Sequence, residues 1–433
     1  MQIKKNKIFN KNFFKYACTK CGLCKDIFKK EVKYKANDDY IKLSFNKLTI
    51  KNEKKLKIFC PAYGFDYTKK IKDLNFDNLI GNYFQSYISY SKSEDIRNNS
   101  ASGGILTEII KYLLENREID YVIMPLKKKK IYPEYGFTND IKIVYQNSQS
   151  IYTKIPAVNT IGEVLKNNKR YCFVGLPDQT MAIRKIMEIY PSLKKRIKFI
   201  IGPMVGINMD RDSISGIKLI YNINKNLKIK EIEWREGEWP GNLFIKFSNN
   251  AIIRIKKFYY NFLLPFYCSH ETLLSSDFSN EASDISVGDA WSPKFEKLGK
   301  GWSVVWSKNK KGDNLLKKIG KRIFLKKIST NEAKKMHLHM LDFKKRGSQY
   351  RREIYKFFKI PVPNNITKKT KKKLSRFMIE IVIIFTIWIC KSNFGKKILK
   401  YSSPSLLGKF FSFSRVLWKK LTYSTKRDKI NEF

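Results

Sequence analysis

The sequence predicts a mixed α/β protein in three parts: an N-terminal segment with clustered cysteines, a central α/β domain and a basic, helical C-terminal tail. In the middle of the chain, amphipathic helices alternate with short apolar runs that are typical of buried strands. This alternation indicates parallel strand pairs. The cysteines and a lysine-rich apolar stretch mark changes of composition on either side. We therefore expect boundaries at 1–68, 69–345 and 346–433.

The N-terminal segment has the cysteine spacing C-x2-C-x2-C, and a fourth cysteine follows at a distance. Bacterial ferredoxins continue such a run with C-x3-C-P. Here Phe28 occupies the local fourth position, and the Cys-Pro pair reappears only at Pro61 and the residue before it. Three thiolates on one loop and a remote fourth suit a 4Fe–4S cubane, and Gly22 lets backbone amides face its sulfurs. The predicted ligands of one cluster in a ferredoxin-like segment are Cys18, Cys21, Cys24 and Cys60.

Two other interpretations of these four cysteines remain open. A four-thiolate set also suits tetrahedral zinc, although three cysteines at two-residue gaps favour a cubane. Unpaired structural thiols need no metal at all. The remaining Cys172, Cys268 and Cys390 have apolar or aromatic neighbours and are expected to be core thiols. A total of seven cysteines cannot supply two all-cysteine cubanes of four thiolates each.

The central domain begins with a helix at 105–114 whose apolar residues fall on one face, and the strand DYVIMPL follows it. A helix near 156–168, the strand YCFVGL, a helix at 179–189 and the strand KFIIGP continue the alternation. Residues 215–260 indicate a β-rich portion, and DISVGDAW and GWSVVWS supply two more strands. Residues 69–92 are interpreted as a connector.

Glycine-containing loops stand beside three of these elements. Ser102, Gly103 and Gly104 precede the first helix, whereas GLPDQ and GPMVG each follow a strand. A helix N-terminus favours an anion, and ligands of open α/β sheets gather at the C-terminal ends of strands. A glycine pair by itself is also a simple cap or turn. The three loops together predict a nucleotide-type cofactor.

A family resemblance is carried by RNNSASGGILTEIIKYLLE, FVGLPDQTMAIRK, FIIGPMVG, ASDISVGDAWSP and GKGWSVV. With CTKCGLC, these stretches resemble the beta subunit of coenzyme F420-reducing hydrogenases and F420-linked dehydrogenases, a family that includes 7-hydroxymethyl chlorophyll a reductase. The resemblance implies an iron–sulfur flavoprotein oxidoreductase. FAD would sit in the central α/β domain and exchange hydride with reduced coenzyme F420 or another two-electron partner, while the cluster passes single electrons.

The resemblance also implies which residues surround the flavin. They are Arg97, Ser102, Gly103, Gly104, Thr107, Gly175, Pro177, Gln179, Gly202, Pro203, Asp284, Ser286, Gly288 and Asp289. Turn chemistry between strands is the alternative for the two aspartates. Many relatives hold a second cluster, with cysteines where this chain has Asp178, Thr272 and Ser275. Their absence here predicts one cluster only and argues against a role as a wire to a hydrogenase partner.

No catalytic acid or base is assigned. His270 is a candidate proton donor, although a core or surface histidine is the favoured interpretation. His337 and His339 form H-x-H on what is expected to be a solvated helix face. The redox donor is F420, a ferredoxin or a nicotinamide, and the substrate is an unknown small or lipid-linked molecule. The motifs REGEWPG and FYYNFLLPF resemble family members associated with surface-polysaccharide or lipid-linked synthesis.

Two rival functions accompany this interpretation. The first is an electron-transfer subunit of a larger redox complex, without a substrate of its own. The second is a non-enzymatic four-thiolate zinc protein that binds nucleic acid or lipid. The net charge of +49 permits such binding, but the lysines are spread along the chain and no nucleic-acid-binding motif accompanies them, which argues against nucleic acid. A hydrophobic content of 43% excludes general disorder.

The C-terminal tail combines an apolar stretch at 377–390 with flanking bases. The stretch is too short to cross a ~30 Å hydrocarbon core as a helix. It suits an interfacial helix on anionic lipid, and a helix packed on the protein's own core is the equal alternative. The N-terminus lacks the apolar region of a secretory signal. We therefore expect a cytoplasmic protein that rests on the inner face of the membrane.

Overall fold

The structure is a computed structural model that describes residues 11–37, 40–46, 48–127, 131–256, 259–371 and 373–422. The first ten residues of the predicted N-terminal segment, and Lys372 and 423–433 of the predicted tail, lie outside these ranges. The strands in the described ranges are β1 (Val32–Ala36), β2 (Ile41–Phe45), β3 (Asn75–Asp77), β4 (Gly81–Tyr83), β5 (Gln85–Ser91), β6 (Tyr121–Leu126), β7 (Glu134–Thr138), β8 (Tyr171–Val174), β9 (Ile197–Pro203), β10 (Ile229–Glu236), β11 (Asn242–Phe247), β12 (Ile252–Lys256), β13 (Ile285–Asp289), β14 (Ser303–Ser307) and β15 (Ile323–Lys327).

Helices occur throughout the chain and are the only regular elements after β15 in the described ranges. They are α1 (Lys11–Ala17), α2 (Leu23–Ile27), α3 (Ile50–Phe59), α4 (Glu94–Asn98), α5 (Ile105–Glu115), α6 (Ile141–Gln146), α7 (Ile161–Val164), α8 (Pro177–Ile189), α9 (Ser192–Arg196), α10 (Ser213–Ile220), α11 (Leu263–Tyr267), α12 (His270–Leu274), α13 (Pro293–Lys297), α14 (Lys310–Lys318), α15 (Thr330–Asp342), α16 (Ser348–Phe357), α17 (Leu374–Lys391), α18 (Asn393–Tyr401) and α19 (Pro404–Thr422). Two 3-10 turns (Pro61–Tyr63, Tyr259–Phe262) and a π-helical turn (Phe343–Gly347) complete the set.

The central element is an eight-stranded mixed sheet in the order β15-β5-β14-β13-β9-β8-β6-β7. Its β6–β8, β8–β9 and β9–β13 pairs are parallel, and the outer pairs are antiparallel. Along β6, Val122 packs in the cluster that contains α5 and α14, and the next residue, Ile123, packs in the cluster that contains α8. Both faces of the sheet are therefore covered by helices, as parallel strands require.

The predicted succession of α5, β6, α7, β8, α8 and β9 is confirmed, but the prediction missed β7 and α6, and two further expectations are corrected. The helix expected near 156–168 is only the short α7, because residues 154–158 form neither helix nor strand. Residues 69–92 are not a mere connector, because β5 pairs with β14 and β15 inside the sheet. Its sequence QSYISYS concealed this, since buried serines replace apolar residues: Ser89 Oγ donates to Phe324 O at 2.5 Å, and Ser91 Oγ donates to Glu108 Oε1 at 2.9 Å.

The C-terminal helices pack on the protein with one side and expose apolar residues on the other. Ile384 of α17 is fully buried against Ile354 and Tyr355 of α16. Leu399 of α18 and Leu407 of α19 join the cluster that contains the β10-β11-β12 sheet. Within the described ranges, no helix has the length and apolar character needed to span a bilayer.

Candidate active site at the strand ends

The cysteine loop between α1 and α2 and the start of α2 are held to the central domain by hydrogen bonds. Ala157 N donates to Cys21 O at 2.8 Å, and the Asp26 carboxylate accepts from Thr160 N at 2.6 Å. Gly22 has a φ of +91°, and a Cβ there would lie 2.8 Å from Ala157 N. Only glycine combines this left-handed backbone with so close an approach.

The four predicted cluster ligands share one buried environment. Cys21, Cys24 and Cys60 belong to a single apolar cluster, and Cys18 packs against it. Burial raises the pKa of every one of these thiols, to about 12 for Cys21, and the neighbouring cysteines raise the pKa of Cys24 and Cys60 further. Four thiols within electrostatic range of one another in an apolar setting are the donor set that soft metal centres use.

Backbone amides also point at these sulfurs. Lys20 N donates to Cys18 Sγ at 3.4 Å, and the amides of Leu23 and Ala62 lower the pKa of the cysteines they face. Within the described ranges, however, no group of three or more His, Cys, Asp or Glu side chains is placed to hold a metal ion. The four thiols therefore have the chemistry that a cluster needs, but the described side chains do not form a preformed metal site.

Asp178 forms a largely buried ion pair. Lys154 Nζ donates to its Oδ2 at 2.7 Å, and both side chains are largely buried. The Asp178 charge also raises the pKa of Cys21, so the pair lies beside the four cysteines.

A cavity of about 1850 Å³ lies at the C-terminal ends of β8, β9 and β13. Its opposite walls come from α15, α17 and α19. Half of the predicted flavin residues line it, namely Ser102, Gly104, Thr107, Gly175, Pro203, Gly288 and Asp289. The volume exceeds the range of about 300–1,000 Å³ that is usual for a site holding one ligand.

The Ser-Gly-Gly loop contacts the start of β14 on one side and lines the cavity on the other. Gly104 has a φ of +78° and caps α5, and a Cβ there would lie 2.8 Å from Ile96 Cγ2. Gly103 N donates to Ser303 Oγ at 3.0 Å, and Ser102 Oγ donates to Trp302 O at 2.7 Å. Gly104 lines the cavity, whereas Gly103 leaves room for Ser89 and Ser303 of the sheet, which a Cβ there would contact at 2.8 Å.

Asp289, a predicted flavin residue, has two hydrogen-bond partners that the sequence did not predict. Its carboxylate accepts from the buried Arg235 at 3.3 and 3.4 Å and from Trp239 Nε1 at 3.1 Å. Arg235 also donates to Ala101 O, so it links the β10–β11 hairpin to the Ser-Gly-Gly loop. Burial tends to lower the pKa of Arg235, but Asp289 raises it overall, so the guanidinium stays charged.

The other predicted flavin residues do not line the cavity: Arg97, Gly103, Pro177, Gln179, Gly202, Asp284 and Ser286. Gln179 shapes the wall from behind, since its Oε1 accepts from Leu176 N at 2.9 Å and from Tyr135 Oη at 2.7 Å. Asp284 pairs with Arg184 at 2.8 Å and with Lys311 at 3.0 Å. Burial raises the pKa of its carboxyl, but these two cations outweigh burial and lower it.

Two of the three histidines are placed differently from the expectation. His270 lies outside the cavity lining, with Nδ1 3.1 Å from Tyr16 O, and burial lowers its pKa to about 4. His337 and His339 are not on a solvated face, because both line the cavity. Burial lowers the pKa of His337 to about 4, and its Nε2 has no hydrogen-bond partner among the described residues. The sequence places both side chains on one helix, but the burial of His337 depends on its contact with β13.

Comparison with known proteins points to one family. Residues 86–161 match the model of the coenzyme F420 hydrogenase/dehydrogenase beta subunit N-terminal part, and residues 168–332 match the model of its C-terminal part. A chain of the F420-reducing NiFe hydrogenase complex from Methanosarcina barkeri has a similar fold, with a TM-score of 0.52 and 19% identity. The match covers 69% of this chain and 99% of that chain. No curated protein matches this sequence.

Proposed function

Because the chain belongs to the coenzyme F420 hydrogenase/dehydrogenase beta subunit family, a family of redox enzyme subunits, we propose that it is an iron–sulfur flavoprotein oxidoreductase. One observation carries this proposal: the cysteine loop and the cavity share a wall. Tyr135 and Ile155 line the cavity, and both belong to the apolar cluster that buries the cysteines. Besides burial, Cys21 also raises the pKa of Tyr135, so a cluster held at the loop would be near a cofactor held in the cavity.

The strand-end side of the cavity suits a flavin. Gly104 and Thr107 present the N-terminus of α5, which favours an anionic group such as a diphosphate. Gln149 Oε1, Thr153 Oγ1 and His337 Nε2 belong to lining residues, and these buried atoms have no partner among the described residues. Buried polar atoms without partners are costly, so a polar ligand offsets their burial.

The residues of this chain have separate tasks in the proposed reaction. Bound FAD would supply the exchange between hydride and single electrons, and the cluster would supply one-electron transfer. Asp289, held by Arg235, keeps a fixed negative charge at the end of β13 beside the bound group. The largely apolar lining from α17 excludes water from the reacting atoms.

An absorption spectrum of anaerobically purified protein tests the proposal. We expect flavin and cluster bands in the visible region, with one FAD and about four irons per chain, as one cubane with four thiolates requires. The control is the same preparation after acid extraction of flavin and iron. A colourless, zinc-containing protein would contradict the proposal and restore the non-enzymatic alternative.

An electron-transfer subunit without its own substrate is the second candidate, favoured by the fold shared with a chain of a hydrogenase complex. Bleaching of the flavin by reduced F420, NADH or reduced ferredoxin, each added separately, identifies the donor. The enzyme proposal expects a small or lipid-linked acceptor to reoxidise the purified chain. Reoxidation only after a protein partner is added would favour the subunit.

The exposed side of the tail supports contact with an anionic membrane. Large apolar side chains are exposed along all three C-terminal helices, among them Leu374, Phe385, Ile389, Phe394, Tyr401, Leu406, Phe410 and Phe413. Lysines accompany them, so hydrophobic and electrostatic contacts can act together. Sedimentation with phosphatidylglycerol vesicles should capture the protein and release it as salt screens the charges. Changing Phe394 and Phe413 together to Ser should lower the bound fraction, and equal binding would contradict membrane contact.

A further inference from the structure

The far end of the cavity is built from helices that lie outside the matched family region. The family models end at residue 332, whereas α17 and α19 begin at Leu374 and Pro404. From these helices, Val382, Val416 and Leu417 line the cavity and are also about half exposed or more at the surface. The apolar wall therefore continues from the interior of the cavity to an exposed apolar surface.

Two cations lie in this apolar wall. Arg415 and Lys419 are one turn apart on α19, both line the cavity, and both are partly buried. Burial and, to a smaller extent, the charge of Arg415 lower the pKa of Lys419 to about 8. Among the described residues no carboxylate pairs with Lys419 Nζ. A partly buried lysine with no acid beside it favours the binding of an anion.

We propose that this end of the cavity binds one amphiphilic molecule, with a phosphate-type head on Arg415 and Lys419 and a hydrocarbon chain along α17. The inference rests on the proposed function, because it assigns the strand-end side to the flavin and the α17–α19 side to the substrate. The cavity volume of about 1850 Å³ leaves room for both ligands. The phosphate of FAD is the rival occupant for the two cations, and the experiment below separates the two anions.

Calorimetric titration of the full-length, flavin-loaded protein with farnesyl phosphate tests the inference. We expect one molecule bound per chain, and binding at least tenfold weaker for farnesol and for inorganic phosphate, since each supplies only half of the contacts. Lys419→Gln should raise the Kd for farnesyl phosphate about tenfold, the change expected when one charge-assisted contact is lost. Lys419→Arg, which keeps the charge, should restore the affinity.

Two matched pairs locate the binding site. Lys409→Gln alters an exposed lysine of the same helix that does not line the cavity, and it should leave the Kd unchanged. Val382→Asp, in the cavity wall, should weaken binding. Phe385→Asp, on the same helix but outside the lining, should not. Circular dichroism and melting curves identify any variant that fails to fold, and the comparison of farnesyl phosphate with farnesol and inorganic phosphate on the parent protein remains decisive in that case.

Three results would overturn the inference. If Lys419→Gln and the parent bind farnesyl phosphate equally well, Lys419 does not bind the phosphate head. Loss of flavin absorbance in Lys419→Gln assigns the cations to FAD. Binding that appears only with phosphatidylglycerol vesicles, and not with monomeric farnesyl phosphate, assigns the helices to a bilayer surface. A protein that lacks flavin but binds farnesyl phosphate in this pattern refutes the proposed redox function and leaves the binding site standing.

Discussion

Removing the Glu380 carboxylate should detach α17 from the protein core. Arg351 Nη1 donates to Glu380 Oε2 at 2.5 Å, and both side chains are fully buried. Arg376 donates to the other carboxylate oxygen at 2.8 Å. Glu380→Ala leaves the Arg351 charge buried with no acid opposite it, which typically costs about 3–5 kcal/mol. Urea unfolding monitored by tryptophan fluorescence measures the loss.

An exposed ion pair supplies the control for Glu380→Ala. Glu163 accepts from Lys166 Nζ at 2.7 Å, but both side chains are about half exposed. Glu163→Ala should therefore cost less than about 1 kcal/mol. Replacing Arg351 and Glu380 together by Met and Leu should recover most of the stability, because no unpaired charge remains. If Glu380→Ala costs no more than Glu163→Ala, the tail does not pack on the core as described.

Three further changes test the candidate site. Gly104→Val should abolish flavin absorbance, because it combines a clash with Ile96 of α4 with left-handed backbone strain of about 1–2 kcal/mol. Gly299→Val is the control: Gly299 has a φ of +64° and open space around it, so this variant should carry the strain but keep the flavin. Cys60→Ala should lose most of the bound iron in a colorimetric assay and Cys268→Ala should lose none, so iron loss in both would restore a second cluster. Burial lowers the pKa of His337 from 6.5 to about 4, so the unfolded chain binds the proton first as the pH falls. Replacing His337 by Gln should therefore reduce the slope of unfolding free energy against pH, between about pH 4 and 6.5, by up to about 1.4 kcal/mol per pH unit. An unchanged slope would show that this histidine is not buried and neutral.

Local patterns were enough for the central elements of the fold. The apolar stripe of α5 and the short apolar runs of β6, β8 and β9 are periodic features, and each depends only on residues near in sequence. The loops that follow these strands were recognisable because parallel strands bring their C-terminal ends to one edge. That is why Gly175 and Pro203 could be placed at one site before the structure was known, whereas Gly288 was assigned only through the family resemblance.

Contacts between distant residues were decided only by the tertiary structure. Strand β5 escaped recognition because its serines satisfy their hydroxyls on β15 and α5, so burial did not require an apolar pattern. Glu380 is a charged residue within an apolar stretch, and no residue near it in sequence indicates that Arg351 is its partner. The burial of His337 likewise depends on β13 packing against α15. A sequence determines which segments become helices or strands through local periodicity, but the partner of a buried polar group is chosen by how those segments pack.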